Sequence, residues 1–184
     1  KPSSTFEINA SQLVYNDISQ GNEPITLVGE IGLDDTLIQI KSLLAKSGTN
    51  SINLTGTASD PLALEVQINA QKLSEVSPDI TGRITGTANI KGPYVSPTIV
   101  TNLLGTDLSF KKQRLTNGNV KLQGEAQIVD GVPIIKQLNT QVGDNNCIIK
   151  GRASSPFDLT WDIEGKNLAQ IMPEMAGSLL VKGK

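Results

Sequence analysis

The sequence lacks histidine altogether and contains very little cysteine or aromatic side chain. Its 184 residues include no His, one Cys and 3% Phe, Trp and Tyr. Without histidine, the usual proton shuttle at neutral pH and most metal sites are absent. One cysteine cannot form a disulfide within the chain, and Cys147 is predicted to be a small apolar packing residue. We therefore expect no enzyme activity, no cofactor and no metal site.

Charge is also scarce, and so are long apolar runs. The chain carries 16 Lys and Arg against 18 Asp and Glu, a net charge of -2. This balance provides no basic surface for phosphates, so nucleic acid is excluded as a partner. No apolar run approaches the roughly 20 residues that cross a bilayer, and nothing resembles a signal peptide. Because the chain starts without Met and stops within an apolar alternation, we expect a fragment whose membrane anchor lies outside these residues.

What the sequence does contain is an internal repeat. After a shift of 95 residues, positions 2–82 align with positions 97–177 without a gap, and 21 of the 81 pairs are identical. A repeat of this length predicts a structural module that is also the unit of function. We predict two modules, residues 1–95 and residues 96–184, with the second truncated. Together they are expected to form one continuous array.

Alternating apolar and polar residues dominate both modules. The clearest case is 62–70 (LALEVQINA), and its counterpart 157–165 reads FDLTWDIEG. Such alternation predicts half-buried strands, and Gly, Asn, Asp and Pro between the runs favour antiparallel neighbours. About six strands per module are expected. Only 71–77 and 166–172 could form a turn or two of helix, each ended by a proline. The predicted class is therefore all-β.

A sheet without covering helices must place its apolar face somewhere. Two inner faces in contact make a sandwich, whereas faces held apart make a trough that needs an apolar guest. Each Leu or Ile left in water forgoes about 1.5–3 kcal/mol of burial, which favours acyl chains or another strand as the filling. The alternation predicts the following inward, groove-lining positions: Ile52, Leu54, Leu62, Leu64, Val66, Ile68, Ile84, Ile90, Leu103, Val120, Leu122, Cys147, Ile149, Phe157, Leu159, Trp161 and Ile163.

One motif occurs in both modules and carries a family resemblance. Segments 71–83 (QKLSEVSPDITGR) and 166–178 (KNLAQIMPEMAGS) each join Lys-Leu or Asn-Leu, a short apolar turn and Pro-x-x-x-Gly before a strand. Segment 92–97 (GPYVSP) is a strand-to-strand link in which Ser-Pro follows a glycine. In these motifs the chain resembles the repeats of the TamB family, which belongs to the AsmA-like bridge-type lipid-transfer proteins.

The resemblance implies an elongated, curved antiparallel sheet folded into a U-shaped trough, or β-taco, with a hydrophobic groove. It also implies a place in the periplasm, within an inner-membrane-anchored protein of a Gram-negative bacterium. The partners it implies are phospholipid acyl chains, the outer-membrane barrel protein TamA and unfolded outer-membrane proteins. The family has no catalytic residues to transfer to this chain.

Three classes of function remain open from the sequence. The first is a conduit that carries phospholipid between the inner and outer membranes through an unbroken apolar lining. The second is a groove that shields the strands of outer-membrane proteins during autotransporter assembly and secretion, with strand edges as the binding elements. The third is a tandem β-sandwich stalk with a structural or adhesive role and no lipid binding.

Overall fold

The structure is a computed structural model that describes residues 2–11, 14–15, 18–19, 23–111, 113–114, 119–171 and 174–184. Within these ranges all regular structure is β-strand, apart from two 3-10 helices at Leu73–Glu75 and Leu168–Gln170. The all-β prediction is confirmed, and the two short helices lie where the sequence predicted helical turns. The strands are β1 (Ser3–Ala10), β2 (Val14–Tyr15), β3 (Ile18–Ser19), β4 (Ile25–Asp34), β5 (Leu37–Ser47), β6 (Asn50–Thr57), β7 (Leu62–Ala70), β8 (Ile80–Gly92), β9 (Thr98–Phe110), β10 (Gln113–Arg114), β11 (Val120–Val129), β12 (Val132–Val142), β13 (Asn145–Arg152), β14 (Asp158–Gly165) and β15 (Leu179–Gly183).

Twelve strands form one antiparallel sheet in the order β1-β4-β5-β6-β7-β8-β9-β11-β12-β13-β14-β15. The two-residue strand β10 extends it beside β9, and β2 and β3 pair separately. The sheet is curved and unclosed, and among the described strands β1 and β15 each have one neighbour. Across the predicted module boundary, β8 pairs with β9 along most of its length, with one bulge between Thr81 and Arg83 and, for example, Ile90 opposite Ile99. The two predicted modules therefore share one sheet, which does not fit independent sandwiches.

Local structure recurs at the 95-residue interval. Strands β4, β5 and β6 correspond in their bounds to β11, β12 and β13. A bulge between Glu30 and Ile31 has its counterpart between Glu125 and Ala126. Lys41 Nζ lies 2.6 Å from Glu30 Oε1, and Lys136 Nζ lies 2.7 Å from Glu125 Oε1 at the matching place. Because bulges bend and twist the strand that carries them, their repetition gives the sheet a recurring curvature.

The sheet has no conventional core. Among the described residues no apolar side chain is fully buried, and the buried polar side chains are Ser47, Asn50, Ser77 and Asn145. The accessible surface is 11494 Å² for a 19.5 kDa chain. A compact monomer of this mass would expose about 8,500 Å², so the surface is larger by about a third. A single layer of strands explains the excess, since none of the described elements forms a second layer over either face of the sheet.

Candidate functional site

One face of the sheet is apolar in rows that run perpendicular to the strands. Residues paired across antiparallel strands lie on the same face, so the register defines each row. The central row is Ile8, Leu27, Ala45, Ile52, Ile68, Gly86, Leu103, Leu122, Thr140, Cys147, Ile163 and Val181. It crosses all twelve strands without a charged residue.

Two further rows flank the central row on the same face. The second row is Phe6, Gly29, Leu43, Leu54, Val66, Ala88, Thr101, Gly124, Leu138, Ile149, Trp161 and Gly183. The third row is Ser4, Ile31, Ile40, Gly56, Leu64, Ile90, Ile99, Ala126, Ile135, Gly151 and Leu159. The three rows together form a continuous surface that we call the apolar face.

Aromatic rings cover glycines near both ends of the second row. A methyl group built on Gly29 would collide with the ring of Phe6, and one built on Gly183 would collide with the ring of Trp161. Each ring therefore lies flat across the neighbouring strand instead of projecting from the sheet. Such packing of an aromatic side chain over a cross-strand glycine fills the gap left by the missing side chain. The apolar face thus stays continuous at β4 and at β15.

The opposite face is mainly polar. Its middle row is Glu7, Val28, Leu44, Asn53, Gln67, Thr87, Asn102, Gln123, Asn139, Ile148, Asp162 and Lys182. Amide and hydroxyl side chains occupy the six central strands, and ionised groups occupy both ends. A face of this composition is well solvated, so the two faces differ sharply in their affinity for apolar partners.

The residues predicted from the sequence fall almost entirely on the apolar face. All of them lie in the three rows except Leu62, Ile84, Val120 and Phe157. Leu62 is two residues from Leu64 on β7, and Ile84 and Val120 are both paired with Gly105, so these three share the face. Phe157 precedes β14 and is 70% exposed, outside the strand register.

Several residues of the apolar face were missed by the sequence reasoning. They lie on strands whose pairing partner could not be known from alternation alone, or next to a bulge that shifts the alternation by one residue. The signal that places them is the cross-strand register. The main omissions are Phe6, Ile8, Leu27, Ile31, Ile40, Leu43, Ile99, Ile135, Leu138 and Val181.

Each module has an apolar cavity at the rim of the sheet where its 3-10 helix lies. The first cavity has a volume of about 420 Å³, and the side chains of Leu73 and Val76 form its outer wall. The second cavity has a volume of about 220 Å³ and is walled by the equivalent residues Leu168 and Ile171. We call residues 72–76 and 167–171 the first and second wall segments. Both cavities are open on one side and continue the central row.

A buried asparagine anchors the first wall segment. The Asn50 side chain donates to Ser47 O at 2.9 Å, to Lys72 O at 2.9 Å and to Glu75 Oε2 at 3.2 Å. Its Oδ1 accepts the Lys72 N–H at 2.8 Å. Glu75 Oε2 also accepts the N–H of Thr49 at 2.6 Å and the Thr49 hydroxyl at 2.9 Å. These bonds tie the β5–β6 turn to the wall segment, and we call them the Asn50 clasp.

The second wall segment is held by an equivalent set of bonds, the Asn145 clasp. Asn145 Nδ2 donates to Val142 O at 2.9 Å, to Asn167 O at 2.8 Å and to Gln170 Oε1 at 3.2 Å. Gln170 Oε1 accepts the N–H of Asp144 at 2.8 Å, and Gln170 Nε2 donates to Asp144 Oδ2 at 3.1 Å. A neutral amide therefore takes the place that a carboxylate has in the first clasp.

Two titratable groups at these cavities are perturbed. Hydrogen bonds from the Thr49 N–H and hydroxyl, followed by Lys72, lower the pKa of Glu75, so it is ionised near neutral pH. Burial raises the pKa of the Cys147 thiol, which lies in the wall of the second cavity. A thiol with a raised pKa is a poor nucleophile, which agrees with a packing role for Cys147.

Neither a metal site nor a membrane-spanning helix occurs in the part of the chain that the structure describes. No group of His, Cys, Asp or Glu side chains there could hold a metal ion. Over the same residues, no helix is both long enough and apolar enough to span a membrane. The apolar face with its two cavities is therefore the feature that distinguishes the described residues from an ordinary sheet.

An open, single-layer antiparallel sheet with one apolar face defines a class of scaffold proteins that present a continuous apolar surface. Comparison with known proteins narrows the class to one family. The family model described as TamB, N-terminal domain, matches residues 19–134. Because this match covers more than half of the sequence, the chain belongs to the TamB family.

A relative among characterised proteins agrees with this assignment. The translocation and assembly module subunit TamB of Haemophilus influenzae is 27% identical over 125 residues, which cover 67% of this chain and 10% of the relative. The chain thus spans about a tenth of the length of the curated relative that it matches. No solved structure matches the chain.

Proposed function

We propose that the apolar face carries phospholipid acyl chains, as one stretch of a hydrophobic groove between the inner and outer membranes. The chain would act within a TamB-like subunit of the translocation and assembly module, in the periplasm and without catalysis. The observation that carries the proposal is the central row, which crosses twelve strands from β1 to β15 without a charged residue.

The energetics of the exposed face favour an apolar cargo. In the central row, Ile8 is 54% exposed and Ile52 is 45% exposed. Covering apolar surface gains about 25 cal/mol for each Å² removed from water. Acyl chains can slide along such a surface because they make no directional bonds with it. A row continuous through every strand therefore suits movement better than a single closed pocket would.

The proposal predicts the effect of a charge at the third row. Leu64→Arg and Leu159→Arg should keep the far-ultraviolet spectrum and solubility, because an arginine stem can lie along an open face while its head reaches water. The same variants should lose co-purifying phospholipid, measured by native mass spectrometry, and should fail to complement in cells. Position 64 pairs with Ile90 and position 159 with Gly151, so each charge interrupts a row in one module.

Matched controls are available on the same two strands. Gln67→Arg on β7 and Thr160→Arg on β14 place the same side chain on the opposite face, where lipid binding should be unchanged. Unfolding of both leucine variants with folded controls would indicate a closed core. Normal lipid content in folded Leu64→Arg and Leu159→Arg would eliminate the conduit.

A second candidate function is favoured by the sheet edges. Among the described strands, β1 pairs only with β4 and β15 only with β14, which leaves one edge of each available for strand addition. Such edges could hold the extended strands of unfolded outer-membrane proteins during autotransporter assembly with TamA. A photo-crosslinker at Leu180 on β15 should then capture an unfolded barrel protein, whereas a crosslinker at Leu122 on the apolar face should capture lipid. Capture of barrel protein at both positions would favour protein over lipid as the cargo.

A further inference from the structure

The two clasps have the same geometry but different chemistry. In each, a buried asparagine makes three donated bonds and accepts one backbone N–H from its wall segment. The third donated bond goes to Glu75 in the first clasp and to Gln170 in the second. Hydrogen bonds to an ionised acceptor are roughly twice as strong as neutral ones. The first wall segment is therefore tied by stronger bonds than the second.

Neither wall segment has other strong anchors within itself. The first contains one short 3-10 helix with bonds from Glu75 N to Lys72 O and from Val76 N to Leu73 O, both at 3.0 Å. The second has the equivalent bonds from Gln170 N to Asn167 O at 3.2 Å and from Ile171 N to Leu168 O at 3.0 Å, and Leu168 N also donates to Gly177 O at 3.1 Å. A turn of three residues is a marginal helix without tertiary support. The asparagine clasp and the side chains that face the cavity must therefore supply most of the support.

We propose that the wall segments are hinged flaps of unequal firmness over the two apolar cavities, and that protonation of the clasp carboxylate loosens the first flap more than the second. Ionised Glu75 is the central acceptor of the first clasp, where it accepts three hydrogen bonds. The central acceptor of the second clasp is the neutral Gln170 amide, and the Asp144 carboxylate takes part there through a single bond from Gln170 Nε2. The flaps would thus control lateral access to the proposed lipid groove at two points with different responses. This regulatory meaning rests on the proposed function, but the unequal opening does not.

The surroundings of Glu75 leave its ionisation as the main variable. On its own segment, Lys72 Nζ lies 3.3 Å from Glu75 Oε1. From the chain before β4, the Glu23 side chain reaches the same glycine, Gly48, that the Glu75 carboxylate packs against. Strand β8 also packs on this segment, and its Arg83 is paired with Asp107 at 3.6 Å. Within the described part of the chain, the charged side chains found beside Glu75 are therefore Lys72 and Glu23.

The direction of the pH response follows from the lowered pKa of Glu75. A carboxyl whose pKa is lowered by folding stabilises the closed state above its ordinary value of 4.5, and that contribution is lost as the pH falls through the lowered value. Gln170 has no proton to gain in this range, and the carboxylate of the second clasp, Asp144, accepts a single bond from it instead of three. Acid should therefore loosen the first flap relative to the second, and it should never do the reverse.

Hydrogen exchange of the two flaps tests the proposal directly, without any lipid. Exchange of the backbone amides in 72–76 and 167–171 is followed by mass spectrometry from pH 7 down to pH 3, corrected for the intrinsic rate at each pH. At pH 7 the first flap should exchange more slowly than the second, by about threefold or more. The difference should shrink below pH 4.5, the ordinary value for a glutamate.

Two variants swap the acceptor side chain between the clasps, so that a glutamine stands in the first or a glutamate in the second. Glu75→Gln should abolish the pH dependence and bring the first flap to the exchange rate of the second. The double variant Asp144→Thr with Gln170→Glu rebuilds the first clasp in the second module, because Thr49 is the counterpart of Asp144. It should confer acid-sensitive protection on residues 167–171. Protection of the β6 and β13 amides reports whether the sheet remains intact.

A second readout uses the natural thiol of the second cavity. Cys147 is the single cysteine and lies beside the second flap, so its alkylation by a neutral maleimide at pH 7 reports opening there. The double variant should slow this alkylation by about threefold. Equal exchange of the two flaps at every pH, or an unchanged ratio in Glu75→Gln, would overturn the proposal. Because no lipid is present, neither result bears on the conduit itself.

Discussion

At the scale of single residues, burial is inverted relative to an ordinary globular protein. Asn50 and Asn145 are 5% and 4% exposed, whereas no described apolar side chain is fully buried. The inversion follows from the architecture, because a single layer can bury only what lies where a turn or wall segment folds back onto it. At those places backbone carbonyls and N–H groups converge, and only a side chain with both donors and acceptors can satisfy them.

The clasp asparagines should consequently be more important for stability than any single leucine of the rows. Asn145→Ala removes the bonds that its side chain donates to the Val142 and Asn167 carbonyls and to Gln170, and it removes the acceptor of the Asn167 N–H. We expect a loss of about 2–4 kcal/mol in the free energy of unfolding, measured by urea titration. Asn102→Ala on the polar face is the control and should change stability by less than about 0.5 kcal/mol. Equal effects at both positions would contradict a supporting role for the clasp.

At the scale of elements, register depends on glycines where strands approach closely. Gly56 on β6 has φ +120°, and a methyl group there would collide with the carbonyl oxygen of Ala63 on β7. Gly151 repeats the arrangement against Asp158 on β14. Gly131, in the β11–β12 turn, has φ +75° but no atom near the position of an added methyl group. An added methyl group at Gly131 would therefore be unfavourable only through the backbone conformation, whereas at Gly56 it would also collide with the neighbouring strand.

Alanine substitution at two of these glycines should therefore have unequal effects. Gly131→Ala should cost about 1 kcal/mol, for the left-handed conformation alone. Gly56→Ala should cost on the order of 3 kcal/mol, because β6 and β7 must also move apart. Thermal unfolding followed by circular dichroism gives both values. Similar losses in the two variants would mean that β6 and β7 are less closely paired than described.

The continuity of β8 with β9 makes a second prediction at this scale. Residues 1–95 expressed alone should be poorly soluble or oligomeric, because β8 loses the partner to which it is paired from Ile80 through Lys91. A long unpaired edge beside a bare apolar face promotes association. Analytical ultracentrifugation distinguishes the outcomes. A monomer that unfolds as cooperatively as the full chain would instead favour two independent domains.

Alternation predicted the strands well where it was regular and poorly where bulges interrupt it. Segment 62–70 has strict alternation and forms β7 with the same bounds. In β5, Ile40 and Leu43 lie on the same face although they are three residues apart, and so do Ile135 and Leu138 in β12, because a bulge between the two residues shifts the alternation. Alternation in segments such as β7 and β14 predicted an apolar face. The rows that cross the strands could be assigned only from the pairing register of the structure. The clasps were not predictable, since Asn50 and its partners at 72 and 75 are far apart in sequence.

At the scale of the whole molecule, a single layer should be extended in solution. Twelve strands about 4.8 Å apart span about 55 Å, and a slab of this length has a radius of gyration of about 19 Å. A compact chain of this length would have about 16 Å. Small-angle scattering, extrapolated to zero concentration, should give the larger value. A radius near the smaller one would mean that the faces close on each other in solution.

The number of strands in each predicted module has one more consequence. From β4 to its counterpart β11 there are six steps across the sheet, and every step reverses the strand direction. An even number of reversals restores the original polarity, so the two wall segments stand on the same side of the array. Each added module would therefore lengthen the sheet by about 29 Å and place its wall segment on the same side as the previous one. The length of the sheet could then change by whole modules, while its cross-section and the side on which the cavities open stay the same.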